Sequence, residues 1–171
     1  IYILMVEKNK WENAVTYDTL TTILNRGVFM QNLKKEIERA QRYKIPLSYI
    51  MFDLDHFKNI NDTFGHPTGD VVLSKMCENI KQIMRTSDYF GRLGGEEFGI
   101  ILPETNITSA IQMAERIRKT IEDLYIQDGL KVTASIGLTA LQTGDTLDSL
   151  YERADKASYM SKAERNKVSI I

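Results

Sequence analysis

Two groups of acidic residues carry the chemistry that this sequence could do. In the first, Gly94-Gly95-Glu96-Glu97-Phe98 sets two carboxylates between the apolar runs Tyr89–Leu93 and Phe98–Leu102. Runs this short, broken by two glycines, predict a β-hairpin. Glycine there would supply positive φ at the turn and let a ligand approach the backbone. In the second, Asp53 and Asp55 close the apolar run Leu47–Leu54. Residues two apart on a strand share a face, and adjacent carboxylates repel unless a cation lies near them. A hard divalent cation suits such oxygen ligands. Each group alone has a plainer reading, since acidic turns are usually solvated and strands often end in polar residues.

These acids need elements to hold them. Leu-Ser-Tyr-Ile-Met-Phe-Asp-Leu, residues 47–54, is nearly all apolar, which predicts a central strand covered on both faces. Before it, residues 17–26 are rich in cap and turn types. Phe29, Leu33, Ile37 and Ala40 then recur at helical spacing until Pro46. After it, His56 to Gly69 reads as a polar loop, its Asn and Asp side chains holding turns. A helix is predicted from Asp70, with Val72, Leu73, Met76, Ile80 and Ile83 on one face and Asp70 in its first turn, where a carboxylate suits the helix dipole.

Beyond the hairpin, Asn106 caps a helix with Ile107, Ala110, Ile111, Ala114, Ile117, Ile121 and Leu124 on its apolar face. Leu130–Thr139 alternates as a strand, Thr146 caps a last helix through Met160, and Val168–Ile171 forms a short final strand. This order is the split βαβ pattern, a βαββαβ core. It predicts an α+β fold, ferredoxin-like or palm-like: an antiparallel sheet with helices packed on one face, plus an extra N-terminal helix and a C-terminal helix. The strand end and the hairpin tip would be neighbours, gathering Asp53, Asp55, Glu96 and Glu97 into one acidic cluster.

The totals exclude several classes. A length of 171 residues suits one domain. A net charge of −1 gives no case for nucleic-acid binding by bulk attraction. Cys77, the only cysteine, lies in an apolar helical pattern and reads as a small buried hydrophobe, which fits a reducing cytoplasm. No apolar run reaches the length of a membrane span. The chain starts at Ile1 and its first 16 residues are weakly periodic. The expectation is therefore a linker or stalk remnant over residues 1–16 and one folded domain over 17–171, cut from a longer protein that a membrane could tether.

Over residues 17–171 the chain resembles the GGDEF family, the diguanylate cyclases, with the hairpin in its GGEEF form. Phe52-Asp53-Leu54-Asp55-His56-Phe57-Lys58 and Asn61-Asp62-Thr63-Phe64-Gly65-His66 look like the family's metal and guanine-binding stretches, and Gly69-Asp70 and Ala154-Asp155-Lys156-Ala157 match too. The resemblance implies condensation of two GTP into cyclic di-GMP, with loss of two pyrophosphates, at the interface of a homodimer. An upstream sensory domain would be a further partner. It implies Mg²⁺, with Mn²⁺ as a substitute, on Asp53, Glu96, Glu97 and the Leu54 carbonyl. Glu96 would also serve as base for the 3′-hydroxyl. Lys58, Lys162 and Arg165 would face phosphates, and Asn61, Asp70 and His66 the guanine. A carboxylate that accepts from guanine N1–H and the 2-amino group rejects adenine.

Arg85-Thr86-Ser87-Asp88 sits where the family carries a product-inhibition site, with Arg116 as its secondary arginine. Two departures stand out. Asp18, Leu20, Thr21, Asn25 and Arg26 fit the family's N-terminal motif, but Thr22 stands where glycine is common. Lys162-Ala163-Glu164-Arg165-Asn166 lacks one residue of the C-terminal motif, which would rotate Arg165 by about 100° if the helix continued. An alternative with the same residues is a silent module that binds GTP or cyclic di-GMP without turnover.

Overall fold

The computed structural model describes residues 16–171. Apart from Thr16, the expected linker over residues 1–16 lies outside the described residues. Asn25 opens helix α1 (Arg26–Tyr43) by accepting from the Val28 amide, and Phe29, Leu33, Ile37 and Ala40 form its buried stripe. Strand β1 (Leu47–Leu54) has the bounds its apolar run predicts. Helices α2 (Phe57–Phe64) and α3 (His66–Ile83) follow, separated by Gly65 at φ 85°. Next come the hairpin strands β2 (Tyr89–Arg92) and β3 (Glu97–Pro103). Helix α4 (Ile107–Glu122) is capped by Asn106, and β4 (Ala134–Ala140) crosses back. Helix α5 (Leu147–Ser161) starts at a Thr146–Ser149 capping box, and β5 (Lys167–Ile170) ends the sheet.

The five strands run in the order β2-β3-β1-β4-β5. β1 pairs antiparallel with both β3 and β4, while β5 joins β4 in parallel. The fold is α+β, as expected, but its helices lie on both faces of the sheet. Ile50, Phe52 and Leu54 of β1 pack with Val72, Leu73, Met76, Ile80, Ala114, Ile117 and Ile121 of α3 and α4. The alternate residues Leu47, Tyr49 and Met51 pack with Phe29, Leu33 and Ile37 of α1 and with Leu150 and Ala154 of α5. The two crossover helices of the βαββαβ core thus share one face, and the added helices cover the other. Burying a side chain of this size contributes about 1.5–3 kcal/mol, so neither face of β1 could be left in water.

Three local expectations are corrected. The predicted polar loop 56–69 is largely helical, because Phe57 and Ile60 are buried and Phe64 packs beside them, at spacings of three and four. Helix α3 consequently begins at His66, and its first turn holds no acidic residue; Asp70 sits one turn in. The strand expected from Leu130 begins only at Ala134.

Candidate active site

Register sets the centre of the site. Asp53 on β1 stands directly opposite Glu97 on β3, next to the pair Phe52 and Phe98. Directly opposed residues emerge on one face, where like charges oppose folding. The Leu54 amide donates to the Glu96 carbonyl at 3.3 Å, which draws the hairpin turn against the end of β1. Asp53 and Glu96, far apart in sequence, therefore lie in one region. Burial pushes the Asp53 carboxyl up to about 6, the Lys162 ammonium opposes that rise, and the carboxylates of Glu96 and Glu97 add to it. Lys162 Nζ lies 3.3 Å from Asp53 Oδ2. A cavity of about 190 Å³ opens here, lined by Asp53, Glu97, Asp155, Lys156, Tyr159 and Lys162 among others.

Among the described residues, no three His, Cys, Asp or Glu side chains gather around one point at metal-binding spacing. The donors present nevertheless suit a hard cation. They are the opposed carboxylates of Asp53 and Glu97, with Glu96 and the Leu54 main chain alongside. A cation already sits on this set, since the Lys162 ammonium stands in for the charge that the mutual repulsion calls for.

Asp55 does not belong to the cluster. It is 7% exposed. Its carboxylate accepts from Thr133 Oγ1 and Ser135 Oγ, both at 2.7 Å, and from the Asn166 amide at 3.0 Å. β1 ends at Leu54, so the rule that residues two apart share a face stops applying before Asp55. Its oxygens fasten the end of β1 to β4 and to the segment after α5.

The hairpin turn differs from expectation in its geometry. Neither Gly94 nor Gly95 has positive φ. A Cβ on Gly94 would lie 2.9 Å from Glu97 Oε2, so the Glu97 carboxylate would have to shift to admit it. A Cβ on Gly95 would meet nothing within 4 Å, so the tip is open to a ligand. The turn is braced by Arg92, which sequence reasoning missed. Arg92 Nε donates to the Gly94 and Gly95 carbonyls at 3.1 Å, and its Nη1 reaches Asp18 Oδ1 at 3.1 Å. Arg26 Nη1 adds a bond to the Leu93 carbonyl at 3.0 Å. Against burial, which acts to raise it, Thr21 and Arg92 hold the Asp18 carboxyl below its ordinary range. Thr22, standing where glycine is common, adopts φ 55°, a left-handed conformation costly for a β-branched residue.

Lys58, Asn61, His66 and Asp70 lie on α2 and α3. Lys58 and Asn61 are three apart on α2, and His66 and Asp70 four apart on α3, so each pair shares a helix face. The two helices meet where a Cβ on Gly69 would lie 1.9 Å from Asn61 Oδ1. Lys58, His66 and Asp70 are exposed and Asn61 is half-buried. Helix α2 starts immediately after the acidic strand end and has no side-chain cap, which leaves amides at its positive end for an anion.

At the C-terminus α5 stops at Ser161, with Lys162 as its cap, so the helix does not carry on to Arg165. The chain turns through Arg165 at φ 59° and Asn166 at φ 43°. Asn166 is tied to Glu122 Oε1 and to Arg118 Nη1, both at 2.8 Å. Arg165 is exposed, and among the described residues no carboxylate forms an ion pair with it.

A second cavity of about 240 Å³ brings Arg85, Asp88 and Arg116 together with Thr105, Ser109 and Gln112. Asp88 Oδ2 accepts from the Arg85 amide at 2.9 Å, and its Oδ1 is buried without a partner. Burial raises the Asp88 carboxyl, with Arg85 and Arg116 acting against it. Arg116 is held by the Ile83 carbonyl and by Met113 Sδ.

A mostly antiparallel five-stranded sheet with an acidic strand end facing a Gly-Gly-Glu-Glu turn defines the class of domain. Residues 15–167 match the family described as diguanylate cyclase, GGDEF domain, and the chain belongs to that family. Diguanylate cyclase A of Treponema denticola is 41% identical over 175 residues, which cover 98% of this chain and 47% of that protein. Diguanylate cyclase DgcP of Pseudomonas aeruginosa is 36% identical over 163 residues, 93% of this chain and 24% of that protein. The chain thus spans less than half the length of these curated relatives. Among solved structures, the GGDEF domain of DgcB from Caulobacter crescentus in complex with c-di-GMP superposes with TM-score 0.86 at 32% identity, covering 91% of this chain and 92% of that one. The active GGEEF domain of a diguanylate cyclase from Vibrio cholerae gives TM-score 0.82 at 34% identity, covering 85% and 96%.

Proposed function

We propose that this domain condenses two GTP molecules into cyclic di-GMP in a homodimer whose two sites face each other. In each half-reaction a 3′-oxygen bonds to the α-phosphorus of the opposite GTP. The bond from that phosphorus to the oxygen bridging to the β-phosphate breaks, and pyrophosphate leaves. The observation that carries this reading is the opposition of Asp53 and Glu97, beside Glu96, at the end of a buried strand.

When bound by Asp53, Glu96, Glu97 and the Leu54 carbonyl, Mg²⁺ or Mn²⁺ would neutralise phosphate charge and acidify the attacking hydroxyl. The chain's own groups do the rest. Glu96 accepts the 3′-hydroxyl proton. Lys58 and Lys162, with Arg165 nearby in sequence, offset charge gathering on the leaving pyrophosphate. The uncapped start of α2 offers backbone amides to the same phosphates. Asn61 and Asp70 read the guanine edge, with His66 along the same face as Asp70. Holding the two reactants in line supplies most of what such a transfer requires.

The cavity around Arg85, Asp88 and Arg116 would hold product. Arg85 grips guanine O6 and N7, and the Asp88 carboxylate would turn its buried, unpartnered Oδ1 outward to meet the donor edge. The relative solved with c-di-GMP supports product binding as a property of the family.

The test supplies GTP and Mg²⁺ to the domain fused to a dimeric coiled coil, with products separated by chromatography. Cyclic di-GMP and pyrophosphate in a ratio of one to two are expected. An enforced dimer that binds GTP and leaves it unconverted would overturn the reading in favour of a silent binding module. Calorimetry with cyclic di-GMP on Arg85→Ala and Asp88→Ala tests the second cavity. Affinity unchanged in both would remove it.

A further inference from the structure

We propose that Lys162 has two stations, bridging to Asp53 as a resident counter-ion when no metal is bound and moving to the nucleotide phosphates when metal and GTP enter. The inference rests on the reading of Asp53 as a metal ligand and deepens it.

The geometry supports the first station. Lys162 Nζ lies 3.3 Å from Asp53 Oδ2, and its side chain is 43% exposed while that of Asp53 is 16% exposed. The ammonium therefore approaches from the solvent side and occupies one oxygen of the carboxylate that would ligate a metal. A lysine tethered by a flexible four-carbon stem is suited to leaving such a position. Its anchor is fixed: Lys162 caps α5, and α5 is pressed onto β4. Ser161 Oγ donates to the Ile136 carbonyl at 2.7 Å, and Ser158 Oγ to the Ser135 carbonyl at 3.4 Å. A Cβ on Gly137 would lie 2.2 Å from the Ser158 amide nitrogen, so helix and strand touch along their backbones. Only the side chain is free to travel, between one carboxylate and the mouth of the same cavity.

The repulsion around Asp53 explains why a counter-ion is needed. Glu97 stands directly opposite it and Glu96 follows in the turn. Without a cation these carboxylates would oppose closure of the β1–β3 end. Lys162 relieves that repulsion in the metal-free domain. Metal entry must then displace it, and the displaced ammonium is released at the place where the triphosphate arrives. Lys162 would thus weaken metal binding in the absence of nucleotide and strengthen nucleotide binding in its presence. It is a positioning residue for the metal and a direct contact for the substrate.

The experiment measures Mn²⁺ affinity by electron paramagnetic resonance of the free ion. The proteins are the wild-type domain, Lys162→Met, and Lys156→Met, which removes a second lysine lining the cavity that forms no ion pair with Asp53. Without nucleotide, K162M is expected to bind Mn²⁺ about three- to fivefold more tightly, the change due to a half-exposed ion pair. K156M, which alters only the surrounding field, is expected to stay near wild type. With a non-cyclising GTP analogue lacking the 3′-hydroxyl, the sign should invert, K162M binding the analogue more weakly than wild type. Equal Mn²⁺ affinity in K162M and wild type, equal tightening in both variants, or no saturable Mn²⁺ binding to either would overturn the proposal. A domain that shows the Mn²⁺ effect yet makes no cyclic di-GMP as an enforced dimer would overturn the cyclase reading and leave the first station of Lys162 standing.

Discussion

At the scale of single residues, the two aspartates of β1's end play opposite roles. Asp53 carries a carboxyl raised from 3.8 to about 6, with burial as the largest cause. The folded domain therefore holds that proton more tightly than the unfolded chain does. The stability this contributes is fully present below about pH 4 and is lost as pH rises through about 6, to an extent of about 2–3 kcal/mol. Asp53→Asn removes this dependence. At pH 7.5 without metal the variant should unfold at higher urea than wild type, and near pH 4 the difference should vanish. A flat difference across that range would refute the assignment of the shift. Asp55 is stabilising because three donors saturate it. Asp55→Ala should cost about 2–4 kcal/mol in urea unfolding, the loss expected when a buried hydrogen-bonded charge is removed and its donors are left unpaired. Both residues were legible as acids at a strand end. Their division of labour was not, because it depends on where β1 stops pairing.

At the scale of elements, the strands and long helices were legible because their apolar periodicities are strong. The bounds of β1 and the buried stripe of α1 follow directly from residue spacing. Helix α2 escaped because eight residues rich in Asn, Asp and Thr resemble a loop, although Phe57, Ile60 and Phe64 already carried a helical spacing. Its placement matters for the site, since it fixes Asn61 against the start of α3. Gly69 is the contact that permits this, so Gly69→Ala would drive a Cβ into Asn61 Oδ1. Asn61 is a flexible side chain and can shift, so stability should change by no more than about 1 kcal/mol. GTP affinity should fall by about tenfold, the loss of one guanine hydrogen bond within the usual range. Calorimetry with a GTP analogue, beside a thermal melt, separates the two effects. A loss of stability without a loss of affinity would show that Asn61 does not face the nucleotide. Arg92 escaped for a different reason. Its partners Asp18, Gly94 and Gly95 are joined only by tertiary folding, and no spacing in the chain marks a bond from a guanidinium to turn carbonyls.

At the scale of the whole molecule, the described residues present one acidic strand end and one hairpin turn, which on the proposed cyclase reading is a site for one GTP. On that reading ring closure needs two nucleotides in opposed orientation, and the second would come from another copy of the domain. Catalysis by the separate domain should accordingly depend on encounter. Specific activity is expected to rise in proportion to protein concentration at low concentration, because each active unit requires two chains. In a fusion to a dimeric coiled coil the effective concentration of the partner is set by the linker and reaches about the millimolar range. Specific activity should then be higher and independent of dilution across the same range. Initial rates of pyrophosphate release, measured over a hundredfold dilution series of both proteins, distinguish these cases. A separate domain whose specific activity stays constant on dilution would mean that one chain completes the reaction alone. The facing-dimer geometry would then have to be abandoned, even with Asp53, Glu96 and Glu97 in their assigned places.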